Sequence, residues 1–233
     1  MKKLSLLLAL MLSVCSFAAC GNNNDSSEEG NSASDSSSRI VKGDDNKDDD
    51  DEKSGSFTKG EVEDGVYTNE FAGLTFEIPD GWDVLSDEEI MATMNAGLEV
   101  GGSSMDADSV MGTTTYDLVA RDSSIGESVM IIFEDLSKYS YEFTPDDYIR
   151  LAKTSTEYTL PDIDIDWDLD GKEASLCGED FKVYSMEAEI EAYGVSMYQE
   201  YHIAEKDGYM ILVTYSGSSA GEYSDSYTDF FKD

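Results

Sequence analysis

Histidine is nearly missing from this 233-residue chain: His202 is the only one. One imidazole cannot build a zinc centre without cysteines or further histidines beside it, and no CxxC pair is present. Cysteine is scarce as well, at Cys15, Cys20 and Cys177. Cationic side chains number 15 against 51 carboxylates, for a formal charge of −36. Such a chain repels phosphate backbones and anionic headgroups, which excludes nucleic acid and acidic lipid surfaces as partners. There is no glycine-rich phosphate loop and no basic stripe. What remains is carboxylate chemistry, and the very abundance of carboxylates hides any catalytic pair.

Long apolar runs are confined to the N-terminus. Lys2 and Lys3 precede LSLLLALMLSV, and FAAC places Ala18 and Ala19 directly before Cys20. A basic start, a short apolar segment and small residues at a cleavage point form a secretory signal, too short to be a stable span. With a cysteine at that point, the pattern resembles a bacterial lipoprotein signal. The resemblance implies removal of residues 1–19 and diacylation of Cys20. Phe17 stands where the family usually has an aliphatic residue. Each buried acyl CH₂ contributes about 0.8 kcal/mol, so two chains hold a soluble domain on a bilayer where one would not. The expected location is the extracytoplasmic face of the cell membrane. Cleavage and lipidation together leave only Cys177 in the domain, so no internal disulfide is expected.

Residues 20–60 carry almost nothing apolar. GNNNDSSEEGNSASDSSS and KGDDNKDDDDEKSGS cannot bury enough surface to offset chain entropy, which predicts a disordered tether. The block Asp48–Glu52 stretches it by self-repulsion. About 40 residues reach ~140 Å when fully extended and average nearer ~35 Å as a flexible coil. Residues 61–233 are long enough for one domain with a real core.

Within that domain, VYTNEFAGLTFEIPDGW reads as two short strands and a turn at Pro79-Asp80-Gly81. Ser86 and Glu89 form a capping box ahead of a helix whose apolar face is Ile90, Met91, Met94 and Leu98. TTYDLVAR and ESVMIIFEDL read as strands, the second apolar on both faces and therefore central. Thr144 caps a second helix, with Pro145 at its first position and Tyr148, Leu151, Ala152 and Ser155 as its buried stripe. Strands are expected over residues 162–169, 172–177, 181–190, 195–204 and 209–215. A last helix should place Tyr223, Tyr227, Phe230 and Phe231 on one face. Hairpin-linked strands with a few helices define an α+β domain, an antiparallel sheet covered by helices in an α-β-α sandwich.

The stretch EFAGLTFEIPDGWDVLSDEEI resembles the start of the PsbP-like family, in which such a strand, a turn and a tryptophan (here Trp82) precede the first helix. The later hairpins and closing helix fit that fold along most of the domain. The family includes a photosystem accessory protein, a Ran-binding nuclear-transport protein and many bacterial lipoproteins. It implies a shared fold and no shared activity, so no site is carried across.

Three stretches could carry chemistry. DIDIDWDLDG sets an aspartate at every second position from Asp162 to Asp170. Asp166, Asp168, Asp170 and Gly171 match the opening of a calcium loop, but its twelfth position is Cys177 where a bidentate glutamate is needed. A hairpin accounts for more of the pattern: Ile163, Ile165, Trp167 and Leu169 fall on one face, the aspartates on the other, and Asp170-Gly171 forms the turn. That register sets Ala174 opposite Trp167, Leu176 opposite Ile165 and Glu173 across from Asp168. Asp164, Asp166, Asp168 and Asp170 are then the oxygens that would hold Ca²⁺, the one cofactor the sequence suggests. GSSAG spells a nucleophile elbow around Ser219, yet no histidine follows it. Tyr139, Tyr141, Tyr193, Tyr198, Tyr201 and Tyr209 could line a sugar- or peptide-binding surface, although strand packing is their commoner use. The reading that results is a lipid-anchored, non-enzymatic extracytoplasmic protein whose domain binds an envelope partner, with a Ca²⁺- or small-ligand-binding module as the alternative.

Overall fold

The computed structural model describes residues 57–100, 114–159, 161, 163–190, 195–217 and 226–232. Its centre is a seven-stranded antiparallel sheet in the order β4-β5-β6-β10-β9-β8-β7. The strands are β4 (Asp83–Val84), β5 (Thr114–Asp122), β6 (Glu127–Asp135), β7 (Asp164–Leu176), β8 (Glu179–Ile190), β9 (Val195–Lys206) and β10 (Tyr209–Gly217). A smaller sheet pairs β1 (Glu61–Glu63), β2 (Val66–Asn69) and β3 (Leu74–Glu77). The α+β class and the antiparallel strands are as expected. β6 is buried along eight of its nine residues, in keeping with an inner strand apolar on both sides.

Both helices lie on one face. Helix α1 (Asp87–Val100) starts at the expected capping box: Ser86 N–H and Oγ–H donate to Glu89 Oε2 at 2.8 and 2.7 Å. Helix α2 (Pro145–Thr159) uses a matching device, with Thr144 Oγ–H donating to Asp147 Oδ2 at 2.6 Å and Asp147 N–H returning to Thr144 Oγ at 3.2 Å. These bonds satisfy amides that a helix start leaves unpaired. They also hold the Glu89 and Asp147 carboxyls below their ordinary pKa range. Ile90 and Met94 of α1 and Tyr148, Ile149 and Ala152 of α2 share one apolar cluster with Met130, Ile132, Met186, Tyr201 and Leu212 of the sheet. The buried stripe of α2 is Tyr148, Ile149, Ala152, Ser155 and Thr156; Leu151 is only half-buried. Leu98 lies outside the described side chains.

The opposite face is covered by strands. Tyr67, Leu74 and Phe76 of the small sheet pack on Leu118, Val129, Ile131, Phe133, Ile211 and Val213. The described C-terminal residues add a 3-10 turn, Tyr227–Phe230, and then Phe231 bridges to Phe76 of β3. The expected closing helix is therefore, over its described part, a short turn running into an extended residue. Lys232 N–H donates to Thr75 O at 3.0 Å, so the chain end is fixed by β3 and not by helical bonding. Two strands escaped sequence reasoning: β1 is fully exposed, and β4 spans two residues paired with Arg121 and Ala120.

The larger correction concerns the hairpin. The expected strands at 162–169 and 172–177 are one strand, β7, which runs through Asp170-Gly171. A two-residue turn of that kind needs positive φ at both central residues. Gly171 has φ +66° but Asp170 is not among the residues with positive φ. The real turn is Cys177-Gly178, at φ +53° and +77°. Trp167 accordingly pairs with Met186, Ile165 with Ala188, Asp168 with Ser185 and Glu173 with Lys182. Between Asp168 and Lys172 the register shifts, and Leu169-Asp170-Gly171 form a bulge. A Cβ on Gly171 would stand 3.3 Å from Asp146 Oδ1, so the glycine lets the start of α2 approach β7.

Candidate functional site

The aspartate stretch occupies the open edge of the large sheet. Among the described residues β7 ends the strand order, with β8 on one side and no strand on the other. Asp164 and Asp166 are exposed and Asp168 is half-buried, all three on one face; Ile165, Trp167 and Leu169 lie half-buried on the other, against the helix-side cluster. Trp167 stacks on Tyr201 with ring centroids 6.3 Å apart. The bulge separates Asp170 from the even run of the others.

The carboxylates do not converge. Successive members sit about 7 Å apart along the strand, two residues per step. Asp168 is already engaged: Lys172 Nζ donates to its Oδ2 at 2.9 Å and Asp170 N–H to its Oδ1 at 3.1 Å. The Lys172 bond, with the Asp170 amide, holds the Asp168 carboxyl below its ordinary pKa. Among the described residues, no group of three or more His, Cys, Asp or Glu is arranged to hold a metal ion.

Cys177 lies on the same side of the sheet as the aspartates, packed against the strand-covered cluster. It forms the β7–β8 turn, and its thiol donates to Thr75 O and accepts from Thr75 N, both at 3.3 Å. It thus ties the turn to the small sheet. Cys20, Asp162, Tyr193 and Ser219 lie outside the described residues. The other tyrosines do not form one surface. Tyr201 is buried on the helix side, Tyr198 and Tyr209 pack on the opposite face, and Tyr139 and Tyr141 flank Phe143 ahead of α2.

Three polar groupings, buried or half-buried, were not legible from local pattern. On β9, His202 Nδ1 lies 2.9 Å from the Tyr227 hydroxyl, which donates to Glu200 Oε1 at 2.7 Å; Tyr198 donates to Glu200 Oε2 at 2.7 Å. Burial pushes His202 below its ordinary pKa, opposed by the Glu200 carboxylate. Burial, followed by Glu200, pushes Tyr227 well up. On β6, fully buried Glu134 accepts from Thr114 and from Tyr139 at 2.6 Å. In the bulge of β5, Asp117 Oδ2 accepts from Gly60 N–H, Tyr67 Oη–H and Asn69 Nδ2–H at 2.8, 2.6 and 2.8 Å, clamping the small sheet to the large one. All three stitch elements together. The only sequence signal for them is a polar residue interrupting an apolar strand.

No family model matches the sequence, and no curated protein does. Among solved structures, the chain is similar to CyanoP, the cyanobacterial PsbP of Synechocystis sp. PCC 6803, with 13% identity and a TM-score of 0.41 over 76% of this chain and 94% of that one. It is also similar to LpqN, described as involved in cell envelope biogenesis of Mycobacterium tuberculosis, with 11% identity and a TM-score of 0.34 over 67% of this chain and 76% of that one. Neither likeness assigns a role to any residue.

Proposed function

We propose that this protein is a lipid-anchored component of the cell envelope, held on the outer side of the membrane through Cys20, whose α+β domain binds a partner and performs no catalysis. The reading is carried by the ordered N-terminal pattern of Lys2, Lys3, an apolar run and Ala18-Ala19-Cys20, followed by an acidic spacer. Phe57, near the end of the spacer, packs its ring against Phe71, Phe133 and Tyr209 at centroid distances of 5.5, 4.9 and 5.0 Å. The spacer therefore enters the fold at a packed point. Among the described residues no helix is long and apolar enough to cross a membrane. A binding role over a hydrolytic one is supported by His202, which is buried and hydrogen-bonded to Tyr227.

Metabolic labelling with an alkyne fatty acid in the native host tests the anchor. The wild-type chain should carry label and sediment with membranes, and Cys20→Ser should lose both. A wild-type chain that stays in the cytosol, unlabelled and with residues 1–19 uncut, overturns the reading. Calorimetry with Ca²⁺ tests the alternative. Carboxylates spread along a strand should show weak uptake without saturation, whereas a saturable micromolar site lost in Asp168→Asn would replace partner binding with cation binding at Asp164, Asp166, Asp168 and Asp170.

A further inference from the structure

We infer that the outer edge of β7, over Asp164–Asp168, is the docking edge for a cationic extended segment of a partner protein, which adds to the sheet as an eighth strand. The inference rests on the binding role proposed above and names its surface and the chemistry of the partner.

The first observation is the backbone. β7 is the last strand of the large sheet among the described residues, and alternate residues of an edge strand direct N–H and C=O away from their only neighbour. Such an edge is a ready template for a further strand. From Asp164 to Asp168 the pairing with β8 is regular, with partners Glu189 to Ser185 in unbroken register. The bulge at Leu169-Asp170-Gly171 ends that run, which fixes the available ladder at five residues, about 17 Å. At the opposite edge β4 is only two residues long and pairs with Ala120 and Arg121 of β5, and the outer side of β5 beyond it is interrupted by the bulge at Asp117, whose carboxylate is taken by Gly60, Tyr67 and Asn69.

The second observation is what flanks the ladder. One face carries exposed Asp164 and Asp166, with Asp168 already bonded to Lys172; the other carries Ile165 and Trp167, half-buried on the helix-side cluster, with Lys153 Nζ 5.6 Å from the Trp167 ring. An added strand would extend both faces. Its residues beside the aspartates must be lysine or arginine, and the alternate ones apolar, to cover Ile165 and Trp167. Edge strands are commonly protected by charge, and here the charge also selects the occupant. A second copy is disfavoured because two β7 edges would set aspartate beside aspartate. The chain's own spacer is disfavoured for the same reason, since its Asp48–Glu52 block is acidic. A basic strand is the occupant for which backbone pairing and charge act together.

The test uses the full chain and a soluble peptide of alternating lysine and valine. Hydrogen exchange should show new protection confined to the outward-directed amides, every second residue, within Asp164–Asp168. Asp164→Asn combined with Asp166→Asn should weaken binding about tenfold while leaving thermal unfolding in place. The same peptide N-methylated at alternate residues keeps its charge and loses its ladder donors, and should not protect β7. Binding that survives N-methylation, protection located elsewhere, or no binding at all overturns the proposal. None of these measurements involves Cys20, so failure here leaves the anchor standing, and failure of the fatty-acid labelling leaves this edge standing.

Discussion

β10 and β7 belong to one sheet and are built to opposite specifications. Eight of the nine residues of β10 are buried, whereas β7 buries only Leu176 of its thirteen. At the centre, polar groups turn inward and find partners: Glu134 takes hydroxyls from Thr114 and Tyr139, and His202 meets Tyr227. At the edge, Asp164 and Asp166 are exposed and, among the described residues, the outer backbone groups face no strand. The contrast separates two jobs. The centre makes the fold, and the edge can vary its chemistry at little cost to stability, which is what a recognition surface requires.

The sharpest test of that division compares one residue from each region. Phe133 on β6 is fully buried between Phe57 and the strand-covered core. Phe133→Ala should cost about 3–5 kcal/mol in denaturant unfolding, as large-to-small changes in a packed core do. Asp166→Asn on the exposed face of β7 should stay within about 0.5 kcal/mol. Comparable losses would mean that the edge is structural and the division false.

Acid should act on the interior before it acts on the edge. His202 is buried with its pKa lowered, chiefly by desolvation. The unfolded chain therefore takes up a proton near pH 6.5 that the folded chain resists. Stability from this group is fully present above that pH and is lost as pH falls toward the lowered folded value, with a slope of at most about 1.4 kcal/mol per pH unit. Between pH 7 and 5, His202→Gln should flatten the stability profile relative to the wild type. Parallel profiles would remove His202 as the cause.

Much of the framework was legible in the sequence because it rests on local rules. Ser86 with Glu89, and Thr144 with Pro145, announced both helices, since unpaired amides at a helix start demand those side chains. The alternating apolar residues gave the strands. The failures share a cause in tertiary contact. Asp170-Gly171 is a strong turn signal, yet continuing the strand allows Ala174 to pair with Phe181 and buries Leu176 in the strand-covered core. Cys177, no usual turn former, then takes the positive φ and is held by Thr75 of a strand 102 positions away. The polar groupings around Glu134, Glu200 and Asp117 escaped for the same reason. Each joins residues that only the fold brings together, and acidic residues are so common here that buried Glu134 and half-buried Asp117 and Glu200 do not stand out.

Gly171 isolates the smallest part of the contrast, the junction between edge and core. Its φ of +66° is in the left-handed region, where an L side chain costs about 1–2 kcal/mol. A Cβ there also meets Asp146 Oδ1 and Tyr184 Cε1 at 3.3 Å, and Asp146 is bonded to both Lys182 and Tyr184. Gly178 supplies the reference: its φ is +77°, and a Cβ on it meets nothing within 4 Å. Gly178→Ala should therefore report the backbone cost alone, and Gly171→Ala that cost plus the crowding of α2. If α2 is seated through the bulge, Gly171→Ala is the more destabilising in denaturant titration and also speeds amide exchange in the first turn of the helix. Equal losses for the two variants, with exchange in α2 unchanged, would show that the bulge serves only to end the regular ladder of β7.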